Sequence, residues 1–189
     1  MSGQTDLFTE SGPDQVVELN PVEQMLVQDV ARQRCGGGRK DMKVSGRGDA
    51  EISLEGIGGE LAFCQLFEVY PEQVFYLGPV GNDPGDAMID GFRIDVKTSK
   101  RHDADLIAAQ HKAVGRIPVH ALMTGSFPRY VFRGFAWSED LLDDRQLVEL
   151  GYGPTYLYPK RMLRTWEGLM SDEQRVADWR ERIHGGGQS

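Results

Sequence analysis

The dipeptide Asp90-Gly91 stands between two runs of strand-forming residues, Ala87-Met-Ile89 and Phe92-Arg-Ile-Asp-Val-Lys97. Asp-Gly flanked in this way is the strongest short signal for a two-residue β-hairpin. Such a turn leaves little freedom in the register. Ile89 faces Phe92, Met88 faces Arg93, Ala87 faces Ile94, and one step further Asp86 faces Asp95. Directly opposed residues have Cβ atoms roughly 4.5–5.5 Å apart, and two carboxylates so placed repel. A shared proton relieves such a pair, as does a divalent cation, for which convergent carboxylates are hard oxygen ligands. Alternation sends Phe92, Ile94 and Val96 toward a core and Arg93, Asp95 and Lys97 to the other face. Lys97 then lies within reach of both carboxylates. Its ammonium offsets their charge and can orient an attacking water or stabilise charge on a phosphate.

The rest of the chain frames this hairpin as an α/β (α+β) domain. Residues 1–19 lack helical periodicity and are expected to form a disordered acidic tail. Asn20-Pro21 predicts an N-cap followed by proline at the first helical position, with the helix running to about Arg34 before Cys35-Gly-Gly-Gly38 stops it. A second helix is expected from Asp49, as cap, to about Phe67, with Ile57, Leu61 and Cys64 at helical spacing. Gly56 and Gly59 weaken it by roughly 1 kcal/mol each, which suggests that another backbone packs close there. Val74–Leu77, Val119–Thr124 and Tyr130–Trp137 read as strands, and Ser138–Leu142 as a short helix. A last amphipathic helix is expected over Ser171–Ile183, opened by the capping box Ser171-x-x-Gln174. One domain over 20–184, with its core over 49–137, and a disordered tail over 185–189 complete the expectation.

Asp86 followed by Asp95-Val96-Lys97 across a short hairpin resembles the PD-(D/E)XK nuclease signature, with Gly85 where the motif's loosely kept proline would stand and Pro84 one place earlier. Glu60, in Gly-Gly-Glu-Leu-Ala-Phe, matches the acidic residue that the superfamily often carries on a preceding core helix. Asp95-Val-Lys-Thr-Ser99, Tyr130-Val-Phe-Arg-Gly-Phe135 and Gly151-Tyr-Gly-Pro-Thr-Tyr156 are similar to stretches of small phage-encoded members. The resemblance implies a central mixed sheet of about four to five strands flanked by helices, a restriction-endonuclease-like core. It implies Mg²⁺ or Mn²⁺ as cofactor and hydrolysis of phosphodiester bonds in DNA, by an endonuclease that is structure-selective or nicking. Asp86, Asp95, the Val96 carbonyl and Glu60 are the expected metal ligands, with Lys97 beside them. Thr98, Ser99, Lys100 and Arg101 are the expected phosphate contacts after the motif. The glycine-rich segment 36–48 adds Arg39, Lys40, Lys43 and Arg47, which suit a loop along a phosphate backbone or a solvated linker equally. Nucleases of this kind often cut two strands as homodimers. A Gln-x-x-x-Tyr motif, found in some exonuclease branches, is missing after Gln110.

Net charge of −8 at first disfavours a nucleic-acid partner. Residues 1–30, however, hold six acidic residues and no Lys or Arg; setting those six aside leaves −2. The balance therefore excludes only a tight non-specific DNA coater, which needs a basic stripe. No apolar run suits a membrane span, and the acidic start is expected to be neither signal nor transit peptide, so the cytoplasm (of the host, for a phage protein) is the expected location. Cys35 and Cys64 have no Cys-x-x-Cys spacing and are expected to be reduced thiols. Asp83 lies outside the hairpin register. His102, Asp103, Asp105 and His111 could bind zinc but read better as a solvated loop. Lys112 and Arg116 read as surface charge, and Lys160, Arg161 and Arg164 lie beside Tyr156 and Tyr158, which suit base stacking or a core. Two rival functions are a nuclease-fold protein without turnover that binds nucleic acid or protein, and an acidic decoy acting through its tail.

Overall fold

The computed structural model of the chain describes residues 15–36, 48–71, 85–110, 117–151 and 153–185. The first strand, β1 (Gln15–Glu18), falls within the stretch expected as tail. Four residues with polar ends carry almost no sequence signal. They are held by backbone pairing to a later strand and by the burial of Leu19 just after them. Helix α1 (Pro21–Gly36) starts as expected: the Asn20 side chain accepts from the amides of Val22 and Glu23 (2.9 and 3.1 Å), and Glu23 accepts from the Asn20 amide at 2.7 Å. That reciprocal pair satisfies the orphan donors of the first turn. Helix α2 (Asp49–Leu66) begins at Asp49, but Gly48 holds the cap position and no side chain caps it.

The hairpin follows. Strands β2 (Ala87–Ile89) and β3 (Phe92–Ser99) pair Ala87 with Ile94, Met88 with Arg93 and Ile89 with Phe92, the register expected from the turn. Asp90 and Gly91 both have positive φ (49° and 85°), which a two-residue hairpin turn requires and which Asp and Gly tolerate. The Trp166 indole donates to the Asp90 carboxylate at 3.0 Å and ties the turn to the body.

After β4 (Leu106–Ala109) come β5 (Val119–Ser126), β6 (Arg129–Trp137) and the short α3 (Ser138–Leu141). Strands β7 (Leu147–Leu150) and β8 (Gly153–Tyr158) precede α4 (Trp166–Met170) and α5 (Glu173–Gly185). The described strands make a five-stranded sheet in the order β1-β6-β5-β3-β2 and a three-stranded sheet in the order β4-β8-β7. Only β3 and β5 run parallel, so the larger sheet is mixed and the domain is α+β. The smaller sheet was not expected: its strands are short, and buried apolar residues such as Leu106 alternate with exposed ones such as Ile107.

The larger sheet is covered on both faces. Ile94, Val96, Val119, Ala121 and Met123 pack with Ile57, Leu61, Ala62 and Phe63 of α2 and with Val176 and Trp179 of α5. On the other face Leu122 and Ala136 join Leu106, Ala108, Leu141, Tyr156 and Tyr158. The pairing of β5 with β6 slips once, between Leu122–Gly134 and Met123–Phe132, so that Arg133 is bulged out of the ladder. This slip puts Phe132 and Phe135 on one face, where their rings meet at 4.9 Å and both approach Phe67. Strict alternation would have separated them.

Two further local expectations fail. The last helix starts at Glu173 rather than Ser171: Asp172 accepts from the Arg175 amide, while the Ser171 hydroxyl turns back to the Gly168 carbonyl. On α2, a Cβ at Gly58 or Gly59 would collide with Tyr130 or Thr98, so side chains rather than a backbone approach the helix. Gly56 has no such neighbour. The expected strand Val74–Leu77 and residues Arg39, Lys40, Lys43, Arg47, Asp83, His111, Lys112 and Arg116 lie outside the described residues. Among the described residues no helix is long and apolar enough to cross a membrane.

Candidate active site

The site forms where β2 leaves β3. The last paired residue of β2 is Ala87. Gly85 has φ of +85°, and a Cβ there would lie 3.0 Å from the Ile94 carbonyl, so the chain turns off the sheet at a position suited to glycine. Asp86 sits at this departure. Its amide donates to the Ile94 carbonyl at 2.8 Å, and its carboxylate accepts from the Val96 amide at 2.7 Å. The side chain thus takes the role that a neighbouring strand's carbonyl would play for Val96.

Asp95 is on the outward-alternating face of β3 yet only 3% exposed. Its Oδ2 faces two donors, the Lys97 ammonium in an ion pair and the His120 Nδ1 at 2.9 Å. His120 is the direct neighbour of Asp95 in the parallel β3–β5 register. Lys97 keeps 29% of its side chain exposed, against 4% for Asp95. Glu60 projects from α2, and its charge acts on both Asp86 and Lys97.

Three carboxylates share one ammonium here, and the titration behaviour follows. Burial lifts the Asp86 carboxyl well above the usual range, the charges of Glu60 and Asp95 lift it further, and Lys97 and the Val96 amide only partly offset them. Burial also pushes Asp95 upward, but the Lys97 charge and the His120 hydrogen bond outweigh it and hold the carboxyl well below the usual range. Burial disfavours the Lys97 ammonium, while Asp95 and Asp86 more than compensate, so Lys97 stays charged. The buried Cys64 thiol is pushed up to about 12, by burial first and then by Glu60 and Asp86. An inert thiol is the result.

Glu60, Asp86 and Asp95 are hard oxygen donors of the kind Mg²⁺ and Mn²⁺ take. The charges of Glu60 and Asp95 add to burial in lifting Asp86, and Lys97 only partly offsets them. By donor chemistry and charge, the residues fit such an ion. Among the described residues, no three His, Cys, Asp or Glu side chains form a ready cage.

The other expected residues are distributed unevenly. Thr98 turns to the opposite face, its hydroxyl buried under Gly59, where it cannot reach a phosphate at the site. Strand alternation places it there, with Ile94 and Val96. Ser99 shares the face of Lys97, and its hydroxyl accepts from the Arg101 amide at 3.3 Å. Lys100 is paired with Glu51 and Glu55 (2.5 and 3.0 Å) and Arg101 with Asp103 at 2.9 Å, so both cations already meet carboxylates of this chain. Tyr156 and Tyr158 are core residues. The Asp105 carboxylate accepts from the Lys160 amide. His120 was missed. Val119–Thr124 reads as a strand from its sequence, but only the parallel pairing across 25 residues reveals that His120 meets Asp95.

No family model, no curated protein and no solved structure matches the chain.

Proposed function

We propose that this chain is a divalent-metal-dependent nuclease that hydrolyses phosphodiester bonds in DNA, acting as an endonuclease at the site of Asp86, Asp95, Lys97 and Glu60. The observation that supports it most is the fork between β2 and β3, where the carboxyl groups of Asp86, Asp95 and Glu60 gather around one lysine. Like charges buried together without compensation destabilise a fold. Their assembly makes sense at a site that receives a cation. The mixed sheet with α2 across one face is read as the restriction-endonuclease-like core, and a homodimer would allow both strands of a duplex to be cut.

Asp86 and Asp95 would hold the ion, with Glu60 directly or through water. When bound, it supplies Lewis acidity and a water of lowered pKa. The chain's own residues set the rest. Asp86 is oriented by the Val96 amide and Asp95 by His120. Lys97, held protonated, cannot serve as a general base. Its role is electrostatic: it faces charge developing on the phosphate and positions the attacking water.

A second reading, a nuclease-fold protein that binds nucleic acid or protein without turnover, is favoured by one observation: the Lys97–Asp95 ion pair already neutralises part of the site. Incubation of supercoiled and branched DNA with Mg²⁺, Mn²⁺ or EDTA separates the two. Metal-dependent nicking that is lost in Lys97→Ala supports the nuclease. Binding without cleavage in every metal supports the second reading.

A further inference from the structure

The hairpin that builds the site also carries a cation that the mechanism does not use. Alternation along β3 puts Arg93 on the face of Asp95 and Lys97, two residues before Asp95, or roughly 7 Å from Cα to Cα. A Cβ on Gly85 would meet the Arg93 Cβ at 3.5 Å, so the base of the arginine lies against the chain one residue before Asp86. Arg93 is exposed, and among the described residues nothing accepts a hydrogen bond or an ion pair from it. The cations that follow it differ: Lys97 is paired with Asp95, Lys100 with Glu51 and Glu55, and Arg101 with Asp103.

Across the hairpin the register partner of Arg93 is Met88. Opposed residues share a face, with Cβ atoms roughly 4.5–5.5 Å apart. Met88 is 55% exposed, a large apolar side chain standing in water beside an arginine. Methionine is flexible and recurs on surfaces that bind. A cation with apolar surface at its side matches the phosphate and sugar of one nucleotide. A DNA strand nearing Asp86, Asp95 and Glu60 meets their negative charge, and cations along its path offset that repulsion. Lys97 does so beyond Asp95, and Arg93 stands at the other end of the same strand face.

We propose that Arg93 and Met88 form a subsite for the nucleotide next to the scissile phosphate, the guanidinium on its phosphate and the thioether against its sugar. This rests on the nuclease reading and deepens it: the DNA strand runs along β3, from Arg93 past Asp95 to Lys97. Arginine suits the task because its planar fork, which no described residue occupies here, presents two parallel donors to a phosphate.

The test is binding of a fluorescently labelled DNA duplex across a salt series in EDTA, together with cleavage kinetics in Mg²⁺, for the full-length chain and for Arg93→Gln, Arg93→Lys and Met88→Ala. Each lost phosphate contact lowers the slope of log K against log salt by about one. Arg93→Gln should show that loss and raise KM by about tenfold, with a much smaller change in kcat. Arg93→Lys should restore the slope. Met88→Ala should weaken binding by about fivefold with the slope unchanged, since it removes apolar contact and no charge. Thermal melting checks that each variant folds, and Met88→Ala carries the test if Arg93→Gln does not. Unchanged slope and KM in folded Arg93→Gln, a loss confined to kcat, or unchanged affinity in folded Met88→Ala overturns the subsite while leaving a cleaving wild type as a nuclease. A wild type that binds without cleaving overturns the nuclease reading alone, because the slope still reports the phosphate contact. One that neither binds nor cleaves DNA overturns both.

Discussion

The Asp86 carboxylate accepts the Val96 amide at 2.7 Å, so a titratable side chain completes the edge of the strand that carries Asp95 and Lys97. The folding of the hairpin and the charge of the site are therefore one problem, and pH should act on both.

The sign of that effect differs between the two aspartates. Asp86 is lifted by burial and by Glu60 and Asp95, so the folded state holds its proton more tightly than the unfolded chain. Stability from this group is complete below the unfolded value of about 4 and is lost as pH rises through the raised folded value. Asp95 is held low, so its contribution is complete above about pH 4 and is lost only in stronger acid. Metal-free protein should therefore lose melting temperature as pH rises above about 4. Mg²⁺ should restore it near neutrality, and Asp86→Asn should flatten the slope and gain about 2–4 °C at neutral pH in EDTA, the equivalent of about 1 kcal/mol. Melting curves across pH, with and without Mg²⁺, check this.

Removing the His120 ring leaves Asp95 with one fewer donor in a buried place. His120→Ala should cost about 1–3 kcal/mol of stability, read by denaturant unfolding. It should also lower metal affinity or activity by about 10–100-fold, the usual effect of losing a partner behind a metal-binding carboxylate. A variant with unchanged Mn²⁺ affinity, measured by calorimetry, would remove His120 from the site.

Two glycines of α2 should respond in opposite directions to the same substitution. Gly56→Ala meets only Glu60 Oε1, at 3.9 Å, and should stabilise the helix by about 0.5–1 kcal/mol. Gly59→Ala drives a methyl into Thr98 and should destabilise by about 1–3 kcal/mol despite the better helix former. Denaturant midpoints of the two variants give the comparison directly.

What the sequence discloses is local. The hairpin register, the Asn20 cap and the strands over Val119–Thr124 and Tyr130–Trp137 follow from neighbouring residues. The residues that could not be read depend on distant partners. Strand β1 exists only against β6, the smaller sheet only through burial against Leu122 and Ala136, and the His120–Asp95 contact only through a parallel crossover. Arg133 looks like one more strand residue until the ladder slips. Thr98 was legible and was passed over, since alternation already assigned it to the helix side.

The central claim is that Asp86, Asp95 and Lys97 carry out metal-dependent hydrolysis, and nicking of supercoiled plasmid DNA tests it most directly. Wild-type protein should nick in Mg²⁺ or Mn²⁺ and stop in EDTA, and folded Asp95→Asn and Lys97→Ala should each lose about 10³-fold or more in rate. Nicking that survives EDTA, or that persists undiminished in either variant, would contradict the account.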